Sequence, residues 1–349
     1  MRIDFGIYLL VLTTFAIPTN MRIHADEPES HHPETLRLGI IGLDTSHATA
    51  FTQEFNRDEA SDPALVGLRV VAAYPHGSPD IESSTSRIPK LTAEMEALGV
   101  EITESIADLL TKVDCVLLET NDGRIHFEQA LEVFRAGKPV FIDKPIGSNL
   151  AEALAIFRAA EHYKTPMFSS SSLRFSSAVQ RVRAGDEGPV LGCSSYSPCS
   201  LEKTHVDLFW YGIHGVELLY TCMGTGCVSV SHTSSNDFEF SVGRWADGRI
   251  GTFRGIRSGK TGYGGTAFCS QGIQSIGPYE GYKPLVIEIG RFFRSLRSPI
   301  EPTETIELYA FMQAAMLSKQ RGGNPVHLAE VMADADAEAS VILSGRLGP

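Results

Sequence analysis

The chain has 349 residues, of which 43% are hydrophobic and 21% charged, and its formal net charge is −12. This length allows two ordinary domains with cores of their own, and the composition is typical of a soluble globular protein. The acidic balance, with no basic stripe, argues against nucleic acid as a partner.

The first 25 residues form a segment of their own. Arg2 precedes the apolar run "IYLLVLTTFAIP", and the small residue Ala25 follows it at a position suited to signal cleavage. The run is too short to cross a bilayer comfortably. We therefore predict a secretory signal at 1–25, a polar linker at 26–35 and an exported protein with no membrane span after processing. Translation from Met21 would instead remove the signal and leave the protein in the cytoplasm.

The six cysteines show neither a C-x-x-C pair nor a zinc-ligand spacing. We predict that they are buried free thiols. For an exported protein, a bridge between Cys193 and Cys199 or between Cys222 and Cys227 is the alternative.

Strand and helix patterns alternate over residues 36–160. Buried-strand patterns lie at 36–41, 68–74, 114–120 and 139–145. Helical patterns lie at 46–58, 90–100, 105–113, 126–137 and 149–163, the last with Asn149 as its N-cap. This alternation predicts a parallel sheet of the Rossmann type with right-handed crossovers.

The second half of the chain, residues 161–349, has a different character. Residues 190–290 alternate in period two and are rich in glycine and serine, which predicts a mostly antiparallel sheet. A helical insert at 205–224 interrupts this sheet, and helical patterns at 304–323 and 328–345 close the chain. The predicted fold class is therefore α/β, with a Rossmann domain at 36–160 followed by an α/β domain that has a mostly antiparallel sheet.

The turn after the first strand departs from the dinucleotide-binding pattern G-x-G-x-x-G. Gly42 keeps the first glycine, but Asp44 and His47 stand where the second and third are expected. A carboxylate at position 44 would repel pyrophosphate, whereas Ser46 at the helix N-terminus would help to bind it. The acid normally found after the second strand is missing as well. We therefore predict weak or unusual binding of NAD or NADP, between which the sequence does not distinguish.

The stretch "AGKPVFIDKPIG" carries the strongest chemical signal. A lysine at the carboxyl end of a parallel strand, here Lys144, points into the crevice where such sheets bind ligands. Its ammonium group can hold a substrate hydroxyl and stabilise a developing alkoxide. Together with "TNDGRIH" at 120–126, this stretch resembles the glucose–fructose oxidoreductase/inositol dehydrogenase (Gfo/Idh/MocA) family, and the resemblance extends over about 36–330.

The resemblance implies a nicotinamide-dependent oxidoreductase with Lys144 in the active site. It also implies an acid/base histidine at His214, within "DLFWYGIHGVELL". The family's carboxylate four residues earlier is Trp210 here, so Asp207 is the expected substitute. The residues expected to bind the cofactor are Gly42, Leu43, Asp44, Ser46, His47, Thr120, Asn121, His126, Asp143 and Lys144.

The expected substrate contacts are Arg174, Trp210 and Tyr211. No metal site is predicted. One alternative is left open, in which His205, Asp207, His214 and Glu217 serve as metal ligands.

The sequence thus favours an oxidoreductase acting on a hydroxyl group of a sugar, cyclitol or related polyol. A homo-oligomer is expected, since the family commonly pairs its open sheet face with another subunit. Two alternatives are left open. One is a protein of this fold that uses bound NAD transiently to cleave a glycosidic bond, and the other is a non-catalytic carbohydrate-binding protein that has lost cofactor use.

Overall fold

The computed structural model of the protein describes residues 35–348. The predicted signal segment and the linker, apart from residue 35, lie outside this range. The first sheet has six parallel strands in the order β3-β2-β1-β4-β5-β6. These strands are β1 (Leu36–Ile41), β2 (Leu68–Tyr74), β3 (Glu101–Ile102), β4 (Cys115–Leu118), β5 (Val140–Asp143) and β6 (Met167–Ser170). The predicted parallel Rossmann sheet is confirmed.

Helices cover both faces of this sheet, because alternate residues of each strand are apolar on opposite sides. Leu38 and Ile40 pack with the helices on one face, whereas Ile41 packs with those on the other. Asn149 caps the last of these helices as predicted, since its Oδ1 accepts a hydrogen bond from the Glu152 amide at 2.9 Å. The helices are α1 (Ser46–Phe55), α2 (Glu82–Thr85), α3 (Ile88–Ala97), α4 (Ile106–Lys112), α5 (His126–Arg135) and α6 (Leu150–His162).

The first sheet extends beyond the boundary predicted at residue 160. Strand β6 pairs with β5 in parallel register, and the ring of Phe168 lies 5.0 Å from that of Phe141. The four residues of β6 run directly into a series of serines, a composition typical of a loop, so periodicity alone does not reveal this strand. The parallel sheet therefore ends at Ser170.

The second sheet has seven strands in the order β12-β11-β7-β10-β9-β8-β13. Its neighbouring strands are antiparallel except for β7 and β10, which run parallel. The strands are β7 (Val190–Pro198), β8 (Cys227–Ser234), β9 (Phe238–Trp245), β10 (Ile250–Ile256), β11 (Gly264–Cys269), β12 (Ile273–Ser275) and β13 (Val326–His327). The predicted mostly antiparallel sheet is confirmed.

One helix of this half lies against the second sheet and carries His214. It follows a π-helical turn at Leu208–Gly212, and all of its residues are buried. Gly215 allows its close approach to the sheet, because a Cβ atom there would lie 2.3 Å from the ring of Phe253. The helices of this half are α7 (Ser177–Ala184), α8 (Ile213–Met223), α9 (Lys283–Ser295), α10 (Pro302–Gln320) and α11 (Leu328–Leu343).

Helix α9 was not expected, since residues 190–290 were interpreted as sheet. It packs against the first sheet and not the second. Leu285, Ile289 and Phe292 are buried in the core formed by β1 and α1, and the Phe292 ring lies 4.9 Å from that of Phe168. The loop before this helix also carries Tyr282 to the carboxyl edge of the first sheet.

All six cysteines are buried free thiols, as predicted, and neither of the two alternative bridges is formed. Between residues 35 and 348, no helix has the length and apolar character needed to cross a membrane.

Candidate functional site

A cavity of about 540 Å³ lies at the carboxyl edge of the first sheet. Ligands of open α/β sheets bind at this edge, and cavities of this size hold small metabolites. The first sheet and its loops contribute Thr45, Ser46, His47, Arg87, Asn121 and Lys144 to the wall. The second half of the chain contributes Trp210, Tyr211, His214, Tyr263, Tyr279 and Tyr282.

The turn after β1 is tight enough to require glycine. Gly42 has φ = +98°, and a Cβ atom there would lie 2.4 Å from the main-chain nitrogen of Thr120. The turn therefore brings the start of α1 against the loop after β4, as the dinucleotide-binding pattern requires.

Asp44 does not face the cavity. Its side chain is fully buried, where Oδ1 accepts a hydrogen bond from the Asn121 amide at 3.0 Å and Oδ2 accepts one from the Ser84 hydroxyl at 2.7 Å. Burial raises the pKa of Asp44 to about 6. The carboxylate thus links helix α2 to the loop that carries Asn121, and the atoms of the cavity wall separate its charge from a ligand.

Replacing Asp44 with asparagine is expected to change how stability depends on pH. The pKa of Asp44 is about 6 in the folded state against 3.8 for an ordinary aspartate. The stability from this carboxyl is therefore present below the unfolded pKa and lost as the pH rises through the folded pKa. Asparagine has no charge; its Oδ1 can still accept from the Asn121 amide, and its Nδ2 can donate to the Ser84 hydroxyl oxygen. The variant should therefore gain about 2–3 kcal/mol over the wild type between about pH 4 and pH 7. Urea unfolding at about pH 4 and about pH 7 measures the free energy of unfolding of both proteins. The same difference between variant and wild type at the two pH values would contradict the prediction. The exposed Asp58→Asn variant is the control.

The start of α1 fits the phosphates of a dinucleotide. The hydroxyl of Thr45 caps this helix by accepting from the His47 amide at 3.3 Å, and Ser46 stands at the cavity wall. Arg87, which no sequence motif indicates, adds a guanidinium group and donates to the main-chain oxygen of Asp44 at 3.5 Å. Helix N-terminal amides and a neighbouring cation both favour an anion. The residues present therefore fit the pyrophosphate of a nicotinamide dinucleotide.

Three of the predicted cofactor contacts lie behind the cavity wall. Leu43 is buried in the core, and the hydroxyl of the buried Thr120 donates to Gln129 at 2.9 Å. The ring of His126 donates through Nε2 to the main-chain oxygen of Thr120 at 2.7 Å, and burial lowers the pKa of this histidine. These contacts hold the loop that carries Asn121, so their role is to position the wall and not to touch a ligand.

Lys144 and His214 face the same cavity. The Lys144 ammonium lies 5.4 Å from the centroid of the Tyr211 ring, and that ring lies 5.1 Å from the His214 ring. The structure thus brings together the two groups predicted to act in catalysis, and the Tyr211 ring contacts both.

His214 is held as a neutral base. Its Nδ1 shares a hydrogen bond of 2.8 Å with the hydroxyl of Ser171. Burial and, after it, the positive charge of Lys144 lower the pKa of His214 well below its usual value. A neutral imidazole can accept the proton of a substrate hydroxyl at physiological pH.

Asp207 does not partner His214, contrary to expectation. Its carboxylate accepts from the Lys319 ammonium at 2.5 Å, and Ser171 takes its place beside the imidazole. The alternative metal ligands are also separated, because the His205 ring lies 3.3 Å from Asp122 while Glu217 accepts from the Ser171 amide at 2.8 Å. The spacing of Asp207 and His214 follows an α-helix, but the π-helical turn between them changes that spacing.

Arg174 lies in a buried ion-pair network and not in the cavity wall. Its Nε donates to Glu217 at 2.8 Å, and its guanidinium also pairs with Glu304. Arg183 reaches the same Glu304 carboxylate at 3.0 Å. The predicted substrate contact at Arg174 is therefore corrected. This residue neutralises the carboxylate that holds the Ser171 amide beside His214.

Three tyrosines from the second half of the chain complete the cavity wall. The Tyr263 ring lies 5.6 Å from His214, and the Tyr279 ring lies 5.7 Å from Tyr263 and 5.8 Å from Tyr282. Burial raises the pKa of each phenol, so all three stay neutral and can donate hydrogen bonds. Rings with an apolar face and a polar tip suit a ligand that is itself ring-shaped and rich in hydroxyl groups.

Comparisons with known proteins agree with this geometry. Residues 36–170 match the profile of a family described as an oxidoreductase family with an NAD-binding Rossmann fold. Inositol 2-dehydrogenase of Gluconacetobacter diazotrophicus is 32% identical over 126 residues, which are 36% of this chain and 33% of that one. The chain therefore matches about a third of the length of this curated relative.

Solved structures share the fold over most of the chain. A probable dehydrogenase from Thermotoga maritima matches with a TM-score of 0.68 at 19% identity, over 85% of this chain and 100% of its own. Scyllo-inositol dehydrogenase from Lactobacillus casei, solved with bound NAD(H) and scyllo-inositol, matches with a TM-score of 0.67 at 15% identity, over 84% and 99%.

Proposed function

We propose that this chain belongs to the Gfo/Idh/MocA oxidoreductase family, whose profile its residues 36–170 match. We further propose that it oxidises a secondary hydroxyl group of a cyclitol or sugar-like polyol with a nicotinamide dinucleotide. One observation carries the proposal: a neutral imidazole, His214, and an ammonium group, Lys144, face one aromatic cavity at the carboxyl edge of a Rossmann sheet. The inositol dehydrogenases among the similar proteins support the substrate class.

The residues of the cavity divide the work on a secondary alcohol. The dinucleotide, when bound, supplies the acceptor for the hydride that leaves the carbinol carbon. His214 accepts the hydroxyl proton, and the hydrogen bond to Ser171 fixes the orientation of its ring. Lys144 donates to the same oxygen and stabilises the negative charge that develops as the proton leaves. The phenols of Tyr263 and Tyr279, which line the same cavity, would bind the neighbouring hydroxyl groups.

Steady-state assays with NAD and NADP against a panel of cyclitols and sugars test this proposal. We expect net formation of the reduced cofactor with at least one cyclitol. Cofactor that copurifies without net reduction, together with cleavage of a glycoside, would favour transient redox chemistry. Calorimetry that detects neither NAD nor NADP binding would leave the carbohydrate-binding alternative.

We also propose that the protein is a homo-oligomer that assembles through the outer face of the second sheet. Ile250 and Phe268 are 45% and 42% exposed there, and they flank Gly192 on neighbouring strands. Arg254 stacks over Phe238 and Phe240 on the same face, at 4.9 and 5.1 Å. An exposed apolar face of this kind commonly marks a protein interface.

The double variant Ile250→Glu/Phe268→Glu is expected to be monomeric, because two buried, unpaired carboxylates would oppose assembly. Light scattering on the eluate of a sizing column measures the mass. Val341→Glu, which also replaces an exposed apolar residue but lies on α11, should keep the mass of the wild type. A monomeric wild type would remove this proposal.

For the location, export remains our proposal, and it rests on the predicted signal at 1–25 alone. Mass spectrometry of the native protein reads its N-terminus directly. A start near Asp26 supports export, and a start at Met1 or Met21 contradicts it.

A further inference from the structure

Three side chains meet beneath the floor of the cavity. His47 belongs to the first turn of α1, Glu119 follows β4, and Asp143 ends β5. One nitrogen and two carboxylate oxygens from these residues all lie within 4.8 Å of one another. His47 Nδ1 lies 2.6 Å from Asp143 Oδ2 and 3.8 Å from Glu119 Oε2. The residues meet because neighbouring parallel strands end at one edge of the sheet and α1 begins there.

The two carboxylates are buried without enough partners. The Glu119 side chain is fully buried, and neither of its oxygens has a hydrogen-bond partner among residues 35–348. The same is true of Asp143 Oδ1. Within the described part of the chain, no side-chain nitrogen of lysine or arginine lies within 4 Å of either carboxylate, and the charge of Lys144 acts on both from a greater distance. Apart from the contact between His47 Nδ1 and Asp143 Oδ2, the carboxylate oxygens of this cluster have no side-chain donor between residues 35 and 348. Buried carboxylates with so few donors are costly, so the geometry suits a bound cation.

A proton satisfies this cluster less well than a metal ion. A proton bound by Glu119 would give one of its oxygens a role as donor, but the other oxygen and Asp143 Oδ1 would keep no partner. The His47 ring approaches the two carboxylates only through Nδ1, so it can donate a hydrogen bond to only one of their oxygens. A divalent ion instead binds one atom of each residue at about 2.0–2.2 Å and brings two positive charges to two carboxylates.

We propose that His47, Glu119 and Asp143 form a binding site for a divalent transition-metal ion, of the class of Zn²⁺ or Mn²⁺. One imidazole and two carboxylates make a mixed nitrogen and oxygen set, which suits these ions better than the all-oxygen sites of Ca²⁺ and Mg²⁺. Three protein ligands leave a coordination position open, as in catalytic sites. Ligand atoms around a tetrahedral ion lie about 3.4 Å apart. The distance between His47 Nδ1 and Asp143 Oδ2, now 2.6 Å, must therefore increase by under about 1 Å on binding.

The ion would reach the site through the cavity. His47 lines the cavity wall, and its side chain keeps 12% of its exposure, whereas the two carboxylates lie behind it. The open coordination position would therefore face the space that holds Lys144. The metal site shares this cavity with the proposed active site, but it needs no bound nucleotide, so metal binding can be tested separately from the proposed function.

Calorimetry and elemental analysis of the chelator-treated protein test the site, with ZnCl₂ and MnCl₂ as ligands and MgCl₂ for comparison. We expect one equivalent of Zn²⁺ or Mn²⁺ per chain, and a rise in the midpoint of thermal unfolding. Glu119→Gln and Asp143→Asn keep the size of each side chain, and each should weaken binding at least 100-fold. Because Glu119→Gln removes a buried charge, its metal-free form should be no less stable than the metal-free wild type.

Two controls separate ligation from general charge. Asp44→Asn removes a nearby buried carboxylate that is not a ligand, and Glu96→Gln removes an exposed one on α3, so both should retain one equivalent. Binding that persists unchanged in Glu119→Gln, or a wild type that binds no ion in the millimolar range, would overturn the proposal. A protein that binds zinc but oxidises no polyol would contradict the proposed function alone. Full turnover in a metal-free protein that binds no added ion would contradict the metal site alone.

Discussion

Replacing His214 with asparagine, or Lys144 with methionine, is expected to lower kcat by about two to four orders of magnitude. Asparagine keeps a polar atom near Ser171 but cannot take up the substrate proton at neutral pH. Methionine keeps the length of the lysine side chain without its ammonium group, so the developing alkoxide loses its positive partner. Formation of reduced cofactor at saturating cyclitol measures kcat for each variant. The double variant should lose little more than the worse single one, because the two groups act on one oxygen.

Exposed residues of the same types provide the controls. His162→Asn on α6 and Lys90→Met on α3 repeat the two substitutions away from the cavity, and both should keep the kcat of the wild type. Circular dichroism shows whether each variant is folded. A folded His214→Asn variant with an unchanged kcat would remove the imidazole from the mechanism and favour another proton acceptor.

The fold was predictable where local patterns agree with tertiary packing. Strands β1, β2, β4 and β5 are apolar runs that end at a turn or a charged residue, and each strand lies within the predicted range. Strand β6 and helix α9 were missed for the same reason. Strand β6 is short, and helix α9 has a mixed pattern. Both are stabilised by tertiary packing at the first sheet, where Phe168 and Phe292 meet. These two residues are far apart in sequence, and local periodicity does not reveal such a contact.

The site was predictable only in part. Lys144 follows from the rule that ligands bind at the carboxyl edge of a parallel sheet, and His214 from the family resemblance. Asp44 was expected to face the phosphates of the dinucleotide, but its side chain is buried behind the cavity wall. Its partners Ser84 and Asn121 lie 40 and 77 residues away along the chain, so this burial was not predictable. The tyrosines at 263, 279 and 282 lie in loops that meet at the cavity, and their spacing in the sequence does not predict that they meet. Glu119 did carry a signal, since a charge directly after a buried strand has to be neutralised.

The second large effect is expected on stability, from Arg174→Met. This change removes a fully buried cation and leaves Glu217 and Glu304 without their shared partner. Breaking one side of a buried ion-pair network costs about 3–5 kcal/mol, because an uncompensated charge stays in the interior. Glu217 also holds the Ser171 amide, so the orientation of His214 should suffer as well. Urea unfolding should show the loss of stability, and kcat should fall while KM for the polyol changes little.

Two further variants distinguish this role from substrate binding. Arg181→Met removes an exposed arginine from the same helix, α7, on which Arg183 lies, and it should be neutral. Arg174→Lys keeps the positive charge but loses the geometry that reaches two carboxylates at once, so its stability should fall between those of the wild type and Arg174→Met. A substrate contact would behave in the opposite way: the unfolding midpoint would stay constant and KM would rise in both Arg174 variants. That outcome would show that Arg174 contacts the substrate. If instead Arg174→Lys is intermediate in stability between the wild type and Arg174→Met, the role of Arg174 is to stabilise the buried carboxylates that position Ser171 beside His214.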